Sequence, residues 1–83
     1  MRILYFAWVR EKTGIDMEDV QPPANVADLT DLVEWLRSRG DGFEEALGDA
    51  SRVRAAVNQE AVKLDHPVGP DDEVAFFPPV TGG

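Results

Sequence analysis

The chain has 83 residues, enough for one domain with one modest core and no second domain. Sixteen acids against eight bases give a formal net charge of −8, with no Lys/Arg cluster of the kind that binds DNA or RNA by displacing counterions. There are no cysteines, so disulfides, thiolate catalysis and zinc–thiolate sites are excluded.

RILYFAWV (2–9) is rich in β-branched and aromatic residues and predicts a strand. Ile3, Tyr5, Ala7 and Val9 alternate with Leu4, Phe6 and Trp8, so both faces are apolar, as in a central strand covered on two sides. REKTG (10–14) predicts a helical turn ended by Gly14. IDMEDV (15–20) alternates apolar and acidic residues, as a half-exposed strand does, and Gln21-Pro22-Pro23 ends it. The strongest helical pattern covers 26–39, with Val26, Leu29, Leu32, Val33 and Leu36 on one face. Asn25 is the expected N-cap, with Asp28 in the capping-box position. Acids early and Arg37 and Arg39 late suit the helix dipole, and Gly40 is the expected stop. Phe43, Ala46 and Leu47 predict a short second helix after Asp41-Gly42. RVRAAVN (52–58) and EAVKL (60–64) predict two strands joined tightly at Asn58-Gln59. DHPVGPDD (65–72) is loop, and EVAFF (73–77) is the last strand. The order β-β-α-β-β-β predicts an α+β roll: a mixed sheet of about five strands with one main helix packed on one face.

One helix covers one face of a sheet. If Ile3, Tyr5, Val74 and Phe76 meet it, then Leu4, Phe6, Ala75 and Phe77 are left without cover. An apolar patch of that kind marks a partner surface; the alternative is that the 41–50 segment folds over it.

The chain ends FFPPVTGG (76–83). Pro78 and Pro79 lack N–H donors and end the ladder, then favour an extended, polyproline-like stalk. The six residues 78–83 reach at most roughly 20 Å from the body. Gly82 and Gly83 have no side chain to obstruct a narrow channel. A carboxylate on such an arm becomes an acyl donor once ATP has adenylated it. The competing explanation is an inert terminus that happens to contain glycine.

ILYFAWVRE (3–11), AAVNQ (55–59), DHP (65–67) and above all DEVAFFPPVTGG (72–83) resemble the small-subunit family of molybdopterin synthase, sulfur carriers with the ubiquitin-like β-grasp fold. The resemblance implies a single β-grasp carrier domain over 1–83, with 78–83 an extended tail. It implies a non-catalytic carrier subunit that binds no cofactor. An adenylyltransferase like those that activate ubiquitin would consume ATP to activate the Gly83 carboxylate. A persulfide donor would convert it to a thiocarboxylate. The tail, through Val80, Thr81 and Gly82, would then enter the large subunit and give its sulfur to cyclic pyranopterin monophosphate in molybdenum cofactor biosynthesis. Phe6, Arg10 and Phe77 match family positions at the subunit interface; Trp8 has no assigned role. Sulfur carriage for the thiazole of thiamine, ubiquitin-like protein modification and a plain binding domain are the competing functions.

No metal site is expected. His66 is the lone histidine, and it lacks companion ligands. Asp71, Asp72 and Glu73 have no EF-hand spacing and suit a solvated turn. Met1-Arg2 leads into no cleavage signature, and the apolar run 3–9 is too short to span a bilayer. The expected location is cytoplasmic, with neither nucleic acid nor membrane as partner.

Overall fold

A computed structural model describes residues 1–79. Five strands form one mixed sheet in the order β2-β1-β5-β3-β4. The strands are β1 (Arg2–Tyr5), β2 (Met17–Asp19), β3 (Arg54–Val57), β4 (Glu60–Val62) and β5 (Glu73–Phe77). The central pair β1 and β5 is parallel, and every other pairing is antiparallel. Three helices, α1 (Ala7–Thr13), α2 (Leu29–Arg37) and α3 (Asp41–Leu47), and a 3₁₀ turn (Ala50–Arg52) complete the described chain.

The first strand is shorter than its composition suggests, and its second half is helix. β1 pairs with β5 through Tyr5↔Phe76, and Phe6 adds one more bond from its N–H to the Phe76 carbonyl at 3.0 Å. Beyond Phe77 stand Pro78 and Pro79, which have no N–H to offer. The ladder runs out, so residues 7–13 satisfy their own backbone as α1. Ala7 takes a φ of 52° at the corner. The predicted stop at Gly14 holds: its φ is 77° and its N–H donates to the Arg10 carbonyl at 2.8 Å.

α2 begins at Leu29, one turn later than its hydrophobic pattern suggests. Leu29 and Thr30 donate their N–H groups to the carbonyls of His66 and Leu64 at 3.1 and 2.9 Å. Asp28, not Asn25, is the cap: its Oδ1 accepts from the Asp31 N–H at 2.9 Å, and Asp31 Oδ2 accepts from the Ala27 N–H at 3.0 Å. Those bonds satisfy the donors that every helix start leaves open. Gly40, with a φ of 119°, separates α2 from α3. The Asn58-Gln59 turn has φ values of 50° and 71°, the type I′ signature that joins β3 to β4.

One core lies between the sheet and the helices. Ile3, Tyr5, Ala55, Val57, Val74 and Phe76 point into it from the strands. Val9, Leu29, Leu32, Val33, Leu36, Ala46 and Leu47 meet them from the helices. All three helices pack on this side, so α3 joins α1 and α2 rather than crossing to the other face. The apolar/acidic alternation of β2 runs inside out: Met17 is 49% exposed, while Glu18 turns inward. Glu18 Oε2 accepts from the buried Tyr5 hydroxyl at 2.8 Å, and both Glu18 oxygens accept from Arg39 at 2.8 and 3.0 Å. Among the described residues no helix is long and apolar enough to cross a membrane.

Candidate functional site

The register sets the composition of the open sheet face. Met17 lies opposite Leu4, Leu4 beside Ala75, Ala75 opposite Ala56 and Ala56 opposite Ala61. These five residues form one apolar row across all five strands, on the side without helices. None is fully buried. Strand alternation makes this row the reverse of the core row one residue along each strand.

The rows on either side differ. Toward the start of β1 and β5 the face is charged: Arg2 stands between Asp19 and Glu73 in register, 3.6 Å from the Asp19 carboxylate. Toward the end of β5 it is aromatic and basic, with Phe77 opposite Arg54 and Phe6 47% exposed beside them. Phe6 is the N-cap of α1, and the Arg10 N–H donates to its carbonyl at 3.3 Å. Arg10 is exposed one helical turn beyond it. Phe6, Arg10 and Phe77 are therefore brought together at the point where β5 gives way to Pro78 and Pro79. Val80, Thr81, Gly82 and Gly83 lie outside the described residues.

The expected uncovered face is present, and it is wider than Leu4, Phe6, Ala75 and Phe77. Met17, Ala56, Ala61 and Arg54 complete it. Only the strand order and register bring them alongside, and neither can be read from local pattern. Trp8 is half-buried on α1, with the Arg52 guanidinium 5.0 Å from its ring centroid.

The charged turn before β5 is a brace. Asp72 accepts from Asn58 Nδ2 at 3.0 Å and from the Gly69 N–H at 2.7 Å. The Asn58 side chain and these bonds hold the Asp72 carboxyl below the usual aspartate range and tie the β3–β4 turn to the start of β5. Among the described residues no three His, Asp or Glu side chains converge on a metal position. A cleft of about 620 Å³ between the 20–26 and 68–71 segments lies at the other end of the sheet from Phe77.

The ThiS family pattern matches residues 3–83. The molybdopterin synthase sulfur carrier subunit of Escherichia coli is 43% identical over 83 residues, covering 100% of this chain and 99% of its own. The protein of the same name from Haemophilus influenzae is 37% identical over the same shares of both chains. Among solved structures, the small archaeal modifier protein 1 of Haloferax volcanii aligns over 96% of this chain and 97% of its own, with a TM-score of 0.71 and 27% identity. The mixed five-stranded sheet with helices on one face is the ubiquitin-like β-grasp fold.

Proposed function

This chain belongs to the ThiS family, and from that membership we propose that it is the sulfur carrier subunit of a molybdopterin synthase. The observation that carries the reading is the full-length match to carriers of that name. The apolar row supports it: the row adjoins the place where β5 runs into the Pro78–Pro79 stalk, so a partner seated on it is in position to receive the tail.

The Gly83 carboxylate is the reactive group. Its oxygen attacks the α-phosphate of ATP on an adenylyltransferase; pyrophosphate leaves and an acyl-adenylate remains. The outer sulfur of a persulfide donor replaces AMP at the acyl carbon. A thiol then cleaves the sulfur–sulfur bond and releases a thiocarboxylate. The chain has no cysteine, so it has no thiol side chain to hold the sulfur in place of the terminus. In the large subunit the sulfur passes to cyclic pyranopterin monophosphate, and water restores the carboxylate. Phe6, Phe77 and Arg10 hold the large subunit against the open face, while Val80, Thr81 and Gly82 thread its channel and carry Gly83 in. The carrier binds no cofactor of its own and contributes no acid–base group.

Incubation with ATP, the adenylyltransferase and a persulfide donor should exchange one terminal oxygen for sulfur. Intact-mass spectrometry reads the exchange directly. An unchanged mass with partners active on another carrier would overturn the proposal.

A further inference from the structure

The chain has two methionines and no cysteine, so Met1 and Met17 carry its only sulfur side chains. The fold treats them differently. Met1 is partly buried and packs against the core. Met17 is 49% exposed and stands on the outer side of the edge strand β2, in register with Leu4. Its backbone is nevertheless fixed on both sides. The Asp16 carbonyl accepts from the Tyr5 N–H at 2.9 Å, and Glu18 is clamped by Tyr5 and Arg39 at 2.8–3.0 Å. Met17 is thus an open side chain on a rigid strand.

Met17 also has a disproportionate place in the apolar row. Of Met17, Leu4, Ala75, Ala56 and Ala61, three are alanines. Met17 and Leu4 are therefore the only long side chains in the row and supply most of its reach toward a partner. An unbranched, polarisable thioether adapts well to an apposed surface. It is also the one group in the row that a mild oxidant attacks, since leucine and alanine offer only saturated carbon.

We propose that Met17 is a redox modification site, at which an oxidant of the peroxide class switches off docking of the large subunit. The proposal rests on the carrier reading above. A sulfur lone pair attacks one peroxide oxygen; the S–O bond forms and the O–O bond breaks. The oxygen on sulfur gives its proton to the departing hydroxide, which leaves as water. Sulfur loses two electrons and the peroxide gains them. The resulting methionine sulfoxide is polar, and burying it against an apolar partner without a donor costs binding energy. The fold is spared, because Met17 is not a member of the core. Met1 reacts later, because its packing against the core limits access. Sulfoxide reductases restore the thioether, so the switch is reversible.

The test uses the unloaded chain, whose terminal carboxylate gives peroxide nothing to oxidise. The chain is treated with hydrogen peroxide, the oxidant is removed, and the purified large subunit of molybdopterin synthase from the same organism is titrated by calorimetry. Peptide mapping should place the first added oxygen on Met17. Affinity should then fall at least about tenfold, while the melting temperature moves by less than about 2 °C. Methionine sulfoxide reductases A and B together should restore the affinity. Met17→Leu should show the same affinity before and after treatment. Oxidation of Met1 ahead of Met17, unchanged affinity with the sulfoxide at Met17, a loss of affinity that accompanies unfolding, or an equal loss in treated Met17→Leu would each overturn the switch. Absence of binding by the untreated parent would remove the carrier reading itself.

Discussion

The N–H of Phe6 donates to the carbonyl of Phe76 at 3.0 Å, and this is the last bond that β1 makes with β5. It sets Phe6 beside Phe77 on the outer face while Tyr5 and Phe76 close the core beneath them. The two outer rings are thus held by backbone that the core has already fixed. Phe77→Asp should therefore weaken binding of the large subunit at least about tenfold, the scale of an aromatic anchor lost from an interface. Thermal unfolding should change little, because Phe77 faces away from the core. Calorimetric titration alongside a melting curve separates the two effects, and unchanged affinity would remove the outer face from the interface.

The Tyr5–Glu18–Arg39 network links the central strand, the edge strand and the end of α2. Burial alone would raise the Glu18 carboxyl, but hydrogen bonds from Arg39 and Tyr5 and the Arg39 charge outweigh it and hold the group below the usual glutamate range. A carboxyl lowered in the folded state contributes stability that is fully present above its unfolded pKa and is lost as pH falls through the folded pKa. Glu18→Gln should cost about 1–3 kcal/mol at neutral pH and flatten the acid limb of the stability profile. Urea midpoints from about pH 7 to about pH 3 test this, and an acid limb as steep as the parent's would assign the dependence to other carboxylates.

Helix α2 shows what the sequence made legible and what it did not. The apolar spacing of Leu29, Leu32, Val33 and Leu36 found the helix and its buried face. The capping-box logic was sound but set one turn early: the pair is Asp28 with Asp31, and Asn25 lies outside. What selects that register is the 64–66 loop, whose carbonyls accept from Leu29 and Thr30, and a contact over more than thirty positions leaves no trace in local pattern. The same limit explains α1, where strand-forming residues 7–9 become helical because their neighbour β5 ends in prolines. It also explains the outer row, since Met17, Ala56 and Ala61 align only through register. The cap assignment gives a direct measurement: Asp28→Ala should cost about 1 kcal/mol, and Asn25→Ala should fall within about 0.5 kcal/mol of the parent in denaturant melts. A larger loss at Asn25 would contradict the observed register.

Gly42 lies where α3 crosses α1. A Cβ there would run into the Lys12 carbonyl, with the Thr13 Cα at 3.3 Å, a tight contact that needs its own small shift. Both obstacles are backbone, so neither can swing away. Gly42→Ala should destabilise by about 1–3 kcal/mol, the range for overpacking, despite the higher helix propensity of alanine. Gly14→Ala meets open space but requires a φ of 77°; its loss of about 1 kcal/mol should come from backbone strain alone. Equal stability of parent and Gly42→Ala would mean that α1 and α3 separate at little cost.

Deleting Gly83 separates chemistry from folding. Among the described residues, every member of the buried core falls in the span from Ile3 to Phe76. The deletion should leave the melting curve and the outer face unchanged and still allow docking of the large subunit through Phe6 and Phe77. It should nevertheless abolish sulfur loading, because the shortened arm ends in Gly82 and presents its carboxylate about 3.5 Å short. Positioning errors of about 1 Å already cost on the order of 100-fold in rate, so a one-residue deficit leaves the adenylation site without its nucleophile. A deletion variant that still gains sulfur by intact mass would show that the loaded group is not the Gly83 carboxylate.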